Sequence, residues 1–175
     1  AGLPIATLQN WLNGHDKIVR TMPNTPALVG QGMTGIFASN LSEVEHGWVE
    51  NILTAIGQTV WVAQESQIDA ITAISGSGPA YVFYMMEHLT RAALDLGFDA
   101  ATAKQLVQAT FAGAVQLAAE STETIATLRE RVTSKGGTTY AAITSMETSD
   151  MKALFEKALV AAQTRAAELG AEFGK

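Results

Sequence analysis

Three stretches of the sequence hold residue types that could do chemistry. The run Val132-Thr133-Ser134-Lys135-Gly136-Gly137-Thr138-Thr139 places hydroxyls and two glycines between helix-patterned segments. Ile125, Leu128 and Val132 lead into it, and Ala141, Ala142 and Ile143 follow it. Such a junction aims backbone N–H groups at one place and suits an anion at a helix N-terminus. The same residues also serve as a helix-helix loop with a glycine C-cap and a threonine N-cap, and taken alone that reading comes first. Ser75-Gly76-Ser77-Gly78-Pro79 is a second hydroxyl-rich junction at a helix start, either a tight turn or a wall of a small-molecule site. Met22-Pro23-Asn24-Thr25-Pro26 directly follows a strand-like run, where the carboxyl edge of a parallel sheet would bind ligands. Its two prolines stiffen the loop and Asn24 offers donors and an acceptor, although an ordinary rigid loop has the same composition.

Other apparent motifs carry less. Gly30-Gln31-Gly32-Met33-Thr34-Gly35 matches the spacing of a dinucleotide fingerprint, but a Pro-rich loop precedes it and the β-like Ile36-Phe37-Ala38 follows. No helix starts there to receive a pyrophosphate, so the match is set aside. His15, His46 and His88 lack metal-ligand spacing, and no metal site is expected. Ser134 beside Lys135 has no third, orienting group of a nucleophilic pair. Glu43, Glu45 and Glu50 read as a solvated helix face.

Composition restricts the class of partner. Of 175 residues, 47% are hydrophobic, enough for one sizeable core or a small domain with an appendage. The net charge is -6, and the eleven basic residues form no patch, which argues against nucleic acid. The absence of cysteine excludes disulfides and thiolate chemistry. No apolar stretch approaches the roughly 20 residues of a membrane span, and no signal-peptide pattern opens the chain. A soluble, cytoplasmic protein is the expectation.

The elements that must position these stretches change character near residue 64. Strand-length runs fall at Lys17–Met22, Gly35–Ala38 and Thr59–Ala63, with a helix from Ser42 to Ile56 that opens on a capping box. Its expected buried face holds Val44, Trp48, Ile52 and Ile56 or their neighbours. Three strands and one helix are too few for a closed α/β sheet, so residues 1–63 look like the tail of a sheet. Residues 64–175 read as helices. One is capped by Ser66, one opens at Pro79 and stops at Gly97, and one is capped by Asp99, with Ala109, Ala112, Gly113, Ala114 and Ala118 permitting close helix approach. A last one is capped by Ser149 and ends before Gly170. Such a series reads as a bundle. Pro79 to Met86 is apolar on every face, so this helix is either central in the bundle or covered by a second subunit, and an intertwined homodimer is expected.

Three segments together resemble one family. Arg20-Thr21-Met22-Pro23-Asn24-Thr25-Pro26, Ala73-Ile74-Ser75-Gly76-Ser77-Gly78-Pro79-Ala80-Tyr81 and Val132 to Thr139 are similar, in order and spacing, to pyrroline-5-carboxylate reductase across essentially the whole chain. Lys135 departs from it, standing where the family usually has proline. The resemblance implies an α+β, mainly α fold: 1–63 the end of a Rossmann domain, 64–175 a helical dimerisation and substrate-binding domain. It implies NAD(P)H-dependent reduction of the substrate's C=N bond to give proline, with NADPH and NADH both open and the main cofactor-binding half outside this chain. Ser134, Gly136, Gly137, Thr138 and Thr139 would bind the substrate, its carboxylate held by the Gly137 and Thr138 amides. Thr139 would be catalytic, donating near the imine nitrogen as hydride arrives. Ser75, Gly76 and Ser77 would close the substrate pocket, and Met22, Pro23 and Asn24 would border the nicotinamide. A helical homodimerisation module without activity of its own, or another imine reductase of the same plan, is the alternative.

Overall fold

Ile36 has no exposed surface and lies at the centre of a three-stranded sheet in the computed structural model, which describes residues 2–173. The central strand β2, Gly32–Ala38, buries Thr34, Gly35 and Ile36 in succession, as a strand covered on both faces does. β1, Val19–Met22, runs antiparallel to β2, with Met22 opposite Gly35 and Val19 opposite Ala38. β3, Gly57–Trp61, runs parallel to β2 from the Gly32–Gly57 pair onward. The expected parallel sheet is therefore corrected at β1. The Met22–Pro26 loop leaves β1 beside the start of β2, not at a shared carboxyl edge. Gly57, at φ +146°, permits the β2–β3 approach, because a Cβ there would collide with the Gly32 backbone.

Between β2 and β3 lies α2, Glu43–Leu53, with both halves of its capping box formed between Ser42 and Glu45. Its expected buried face is not the one turned inward. Val44, Trp48 and Ile52 are 62, 63 and 68% exposed, whereas Glu45, His46, Val49, Glu50 and Leu53 are half-buried. Polar partners set this rotation. Glu50 accepts from the Thr59 hydroxyl and the Trp61 indole N–H on β3, Glu45 pairs with Lys17, and the His46 ring lies 4.3 Å from that of Trp61. Glu45 and Glu50 are thus not a simple solvated face.

α3, Gln67–Ile71, runs into a π-helical turn, Thr72–Gly76, and then into α4, Gly78–Asp95. Ser66 makes no side-chain cap bond, and the Ser75–Pro79 stretch is a wide helical turn, not a tight loop. α1, Ile5–Trp11, is held at its first amide by Glu65, and Gly2 is buried against Leu169. Arg20, with a side chain 10% exposed, binds Glu65 at 3.0 Å and Asp69 at 3.4 Å, which fastens β1 to the start of α3.

α5, Ala100–Glu120, is capped by Asp99, as its sequence predicts, and α6, Ile125–Arg131, is capped by Thr124. α7, Thr138–Thr148, starts from Gly137 without a side-chain cap, so the expected threonine N-cap is replaced by glycine backbone. Ser149 ends α7 instead of capping α8, and Asp150 at φ +54° makes the turn into α8, Met151–Phe173. α8 continues through Gly170, where Arg165 reaches Glu168 at 3.0 Å and Glu172 at 2.8 Å across the last turns. The described residues divide into two compact units: those up to Tyr81 together with those from Glu156 onward, and Val82–Phe155. The fold is α+β and mainly α, with one small sheet.

Candidate functional site

The first unit brings Met22 and Asn24 onto the π-turn. The Asn24 carboxamide donates to the Ser75 carbonyl at 3.1 Å and accepts the Met33 amide at 2.9 Å. The Met22 methyl lies where a Cβ on Gly76 would be, so that glycine is overlaid by a flexible thioether. Pro23 is exposed between them. In the π-turn the Ser77 amide reaches back five residues to the Thr72 carbonyl at 2.8 Å, and the Tyr81 hydroxyl donates to the Ala73 carbonyl at 3.1 Å. The Ser75 hydroxyl oxygen is buried and has no hydrogen-bond partner among the described residues. A buried hydroxyl left unpaired is costly, and the Thr34 hydroxyl in β2 shares that state.

The second unit holds the other stretch. Gly137 N–H closes a turn on the Ser134 carbonyl at 2.9 Å, and Gly136 at φ +76° supplies the left-handed residue that turn requires. A Cβ on Gly137 would strike the Ser134 hydroxyl, so the loop is tight on the inside of the turn and open on its outside. Ser134, Lys135, Gly136, Thr138 and Thr139 are exposed, and α7 begins at Thr138. The first amides of α7 have no earlier turn to bond and carry the positive end of its dipole, which is the chemistry an anionic group needs.

Two glycines of the apparent dinucleotide fingerprint serve packing, while Gly30 ends a 3-10 turn at φ +70°. Gly32 and Gly35 lie in β2, where a Cβ would meet Ala27 and the Ile56 carbonyl, or Ile71. This segment runs as a strand and opens no helix, so it does not fit the diphosphate of a dinucleotide. Among the described residues no His, Asp or Glu cluster could hold a metal ion, and no helix is long and apolar enough to cross a membrane.

The sequence reading missed the Arg20–Glu65–Asp69 cluster. Its signal was present: an arginine inside a strand-like run, and two carboxylates four residues apart at a helix start.

Residues 65–169 match the family model described as pyrroline-5-carboxylate reductase dimerisation. The chain belongs to the pyrroline-5-carboxylate reductase family. Over its full length it is 46% identical to the pyrroline-5-carboxylate reductase of Pseudomonas aeruginosa, spanning 64% of that protein. It is 43% identical to that of Haemophilus influenzae over 97% of the chain and 63% of the relative. The chain thus spans less than two thirds of these relatives' own length. The solved structure of a Coxiella burnetii pyrroline-5-carboxylate reductase superposes with a TM-score of 0.92 at 44% identity, covering 97% of this chain and 63% of that one. A Plasmodium falciparum pyrroline carboxylate reductase with NADP bound superposes at 0.88 and 32% identity, covering 97% and 68%.

Proposed function

We propose that this chain supplies the substrate-binding and self-association part of an enzyme that reduces 1-pyrroline-5-carboxylate to proline with a nicotinamide cofactor. Membership of the reductase family carries the reading, and the geometry of the Gly136–Thr139 turn supports it. The substrate carboxylate binds the α7 N-terminal amides beside Gly137 and Thr138, with Ser134 at the turn. The Thr139 hydroxyl, one residue into the helix, donates toward the ring nitrogen as the C=N bond becomes a secondary amine. In the first unit, Ser75, Gly76 and Ser77 are assigned to substrate binding, and Met22, Pro23 and Asn24 to the reacting end of the cofactor. The cofactor, NADPH or NADH, supplies the hydride, and the part of the protein that grips its phosphates lies outside these 175 residues. The division between a dinucleotide-binding remnant, 1–63, and a helical domain, 64–175, belongs to the same reading.

Self-association to a homodimer or higher oligomer is supported by the α4 side chains Phe83 and Tyr84, which are 63 and 62% exposed. A cytoplasmic location, with a small-molecule substrate and no nucleic acid or membrane partner, agrees with the charge pattern. The test compares three proteins for imine-dependent cofactor oxidation: the full-length chain, its Thr139→Ala variant and the isolated 175 residues. Full-length protein turns over, Thr139→Ala loses roughly 10- to 1,000-fold in kcat, and the isolated chain is silent. Turnover by the isolated chain, or a Thr139→Ala enzyme with unchanged kcat, overturns the reading. A concentration-independent monomer mass overturns the self-association.

A further inference from the structure

The Ser75 carbonyl has lost both amides that a helix would offer it. In an α-turn its donor is residue 79, but Pro79 carries no N–H. In a π-turn its donor is residue 80, but the Ala80 amide is committed to the Ser77 carbonyl at 3.0 Å. Asn24 fills the vacancy with Nδ2, while its Oδ1 holds the Met33 amide next to the buried Thr34 of β2. One carboxamide therefore joins the loop after β1, the central strand and the turn that bears Ser75, Gly76 and Ser77.

We infer that Asn24 is a positioning residue: its carboxamide replaces the amide that Pro79 cannot provide, and so fixes the Ser75–Ser77 turn. This rests on the proposed role of that turn in substrate binding. It adds a structural duty to the place of Asn24 beside the cofactor, since the carboxamide spends one donor and one acceptor on the backbone. The turn is held without a tight loop, and the Ser75 hydroxyl is left buried and unspent. The Tyr81 hydroxyl does the same service for the Ala73 carbonyl, so two side chains stand in for backbone donors along one turn.

The two bonds can be separated chemically. Asn24→Asp keeps the acceptor for Met33 and removes the donor to Ser75, whereas Asn24→Ala removes both. Pro79→Ala restores an amide able to reach the Ser75 carbonyl. Hydrogen exchange in the full-length protein reads the clamp directly, whatever reaction the enzyme performs. Asn24→Asp speeds exchange of the Ser77 amide roughly tenfold and spares Met33, and Asn24→Ala speeds both. In the Pro79→Ala background the Asn24→Asp effect on Ser77 shrinks to roughly twofold. Equal exchange at Ser77 in all variants overturns the clamp. In turnover, Asn24→Asp raises KM for the imine roughly tenfold, more than it raises KM for the nicotinamide cofactor. A rise confined to the cofactor KM overturns the positioning role and leaves Asn24 to the cofactor alone. Absence of turnover in the unmutated full-length protein rejects the proposed reaction, while the exchange result still decides the clamp.

Discussion

Glu50 of α2 accepts the indole N–H of Trp61 in β3, and the same carboxylate takes the Thr59 hydroxyl. Two donors on alternate residues of one strand face a single carboxylate, which fixes how α2 is turned on the sheet. These bonds, Thr59 first and Trp61 second, hold the Glu50 carboxyl below its usual range. Replacing Glu50 with Ala leaves the indole donor without its carboxylate. Trp11 and Trp48 are both largely exposed, so their Phe variants provide a background in which Trp61 alone is seen. There, Glu50→Ala shifts the emission to longer wavelength and lowers Tm, and an unchanged spectrum contradicts the contact.

Glu45 gives the corresponding acid sensitivity. The Lys17 ammonium and then the Ser42 amide and hydroxyl bring its carboxyl down to about 2 from the ordinary 4.5. A folded-state value below the unfolded one gives stability that is present above pH 4.5 and is lost as pH falls toward 2. The first turn of α2 should therefore fray in that window, seen as loss of amide protection at Glu45 and His46 during acid titration. Lys17→Ala moves the onset upward. Lys17 is exposed to solvent, so the effect is local and weakens with added salt.

Gly57→Ala tests the sheet. The new methyl would have to occupy the Gly32 backbone at a φ of +146°, and the parallel β2–β3 pairing starts at that contact. A loss of about 3 kcal/mol is expected in denaturant unfolding. Gly30→Ala is the control. Its φ is +70° with nothing within 4 Å, so it carries backbone strain alone, about 1–2 kcal/mol.

Local signals were the most legible part of the sequence. The capping box at Ser42, the cap at Asp99 and the stop at Gly97 each depend on residues within one turn, and each forms. The Gly136–Gly137 junction was visible for the same reason. What escaped depended on distant partners. The rotation of α2 is set by Thr59 and Trp61, and the antiparallel direction of β1 by pairing that no local pattern encodes. Helix periodicity alone pointed to Val44, Trp48 and Ile52, the side left outward. The π-turn was hidden because Ser-Gly-Ser-Gly-Pro has the composition of a loop. Its wide helical path depends on carbonyls satisfied by Asn24 and Tyr81, one of them far away in sequence. At the candidate site, the grouping of Met22, Asn24, Ser75 and Gly76 followed from the family resemblance and not from spacing.

Gly2 is buried with the Leu169 backbone 3.1 Å from where its Cβ would be, and its φ of +81° leaves little choice of residue there. The first and last turns of this unit therefore form a single joint. Polypeptide entering at Gly2 emerges alongside α8, and a cut that frees the end of α8 also unseats the approach to α1. Limited proteolysis should then loosen both segments together, so that a nick near Leu169 is first felt at Gly2 and the approach to α1.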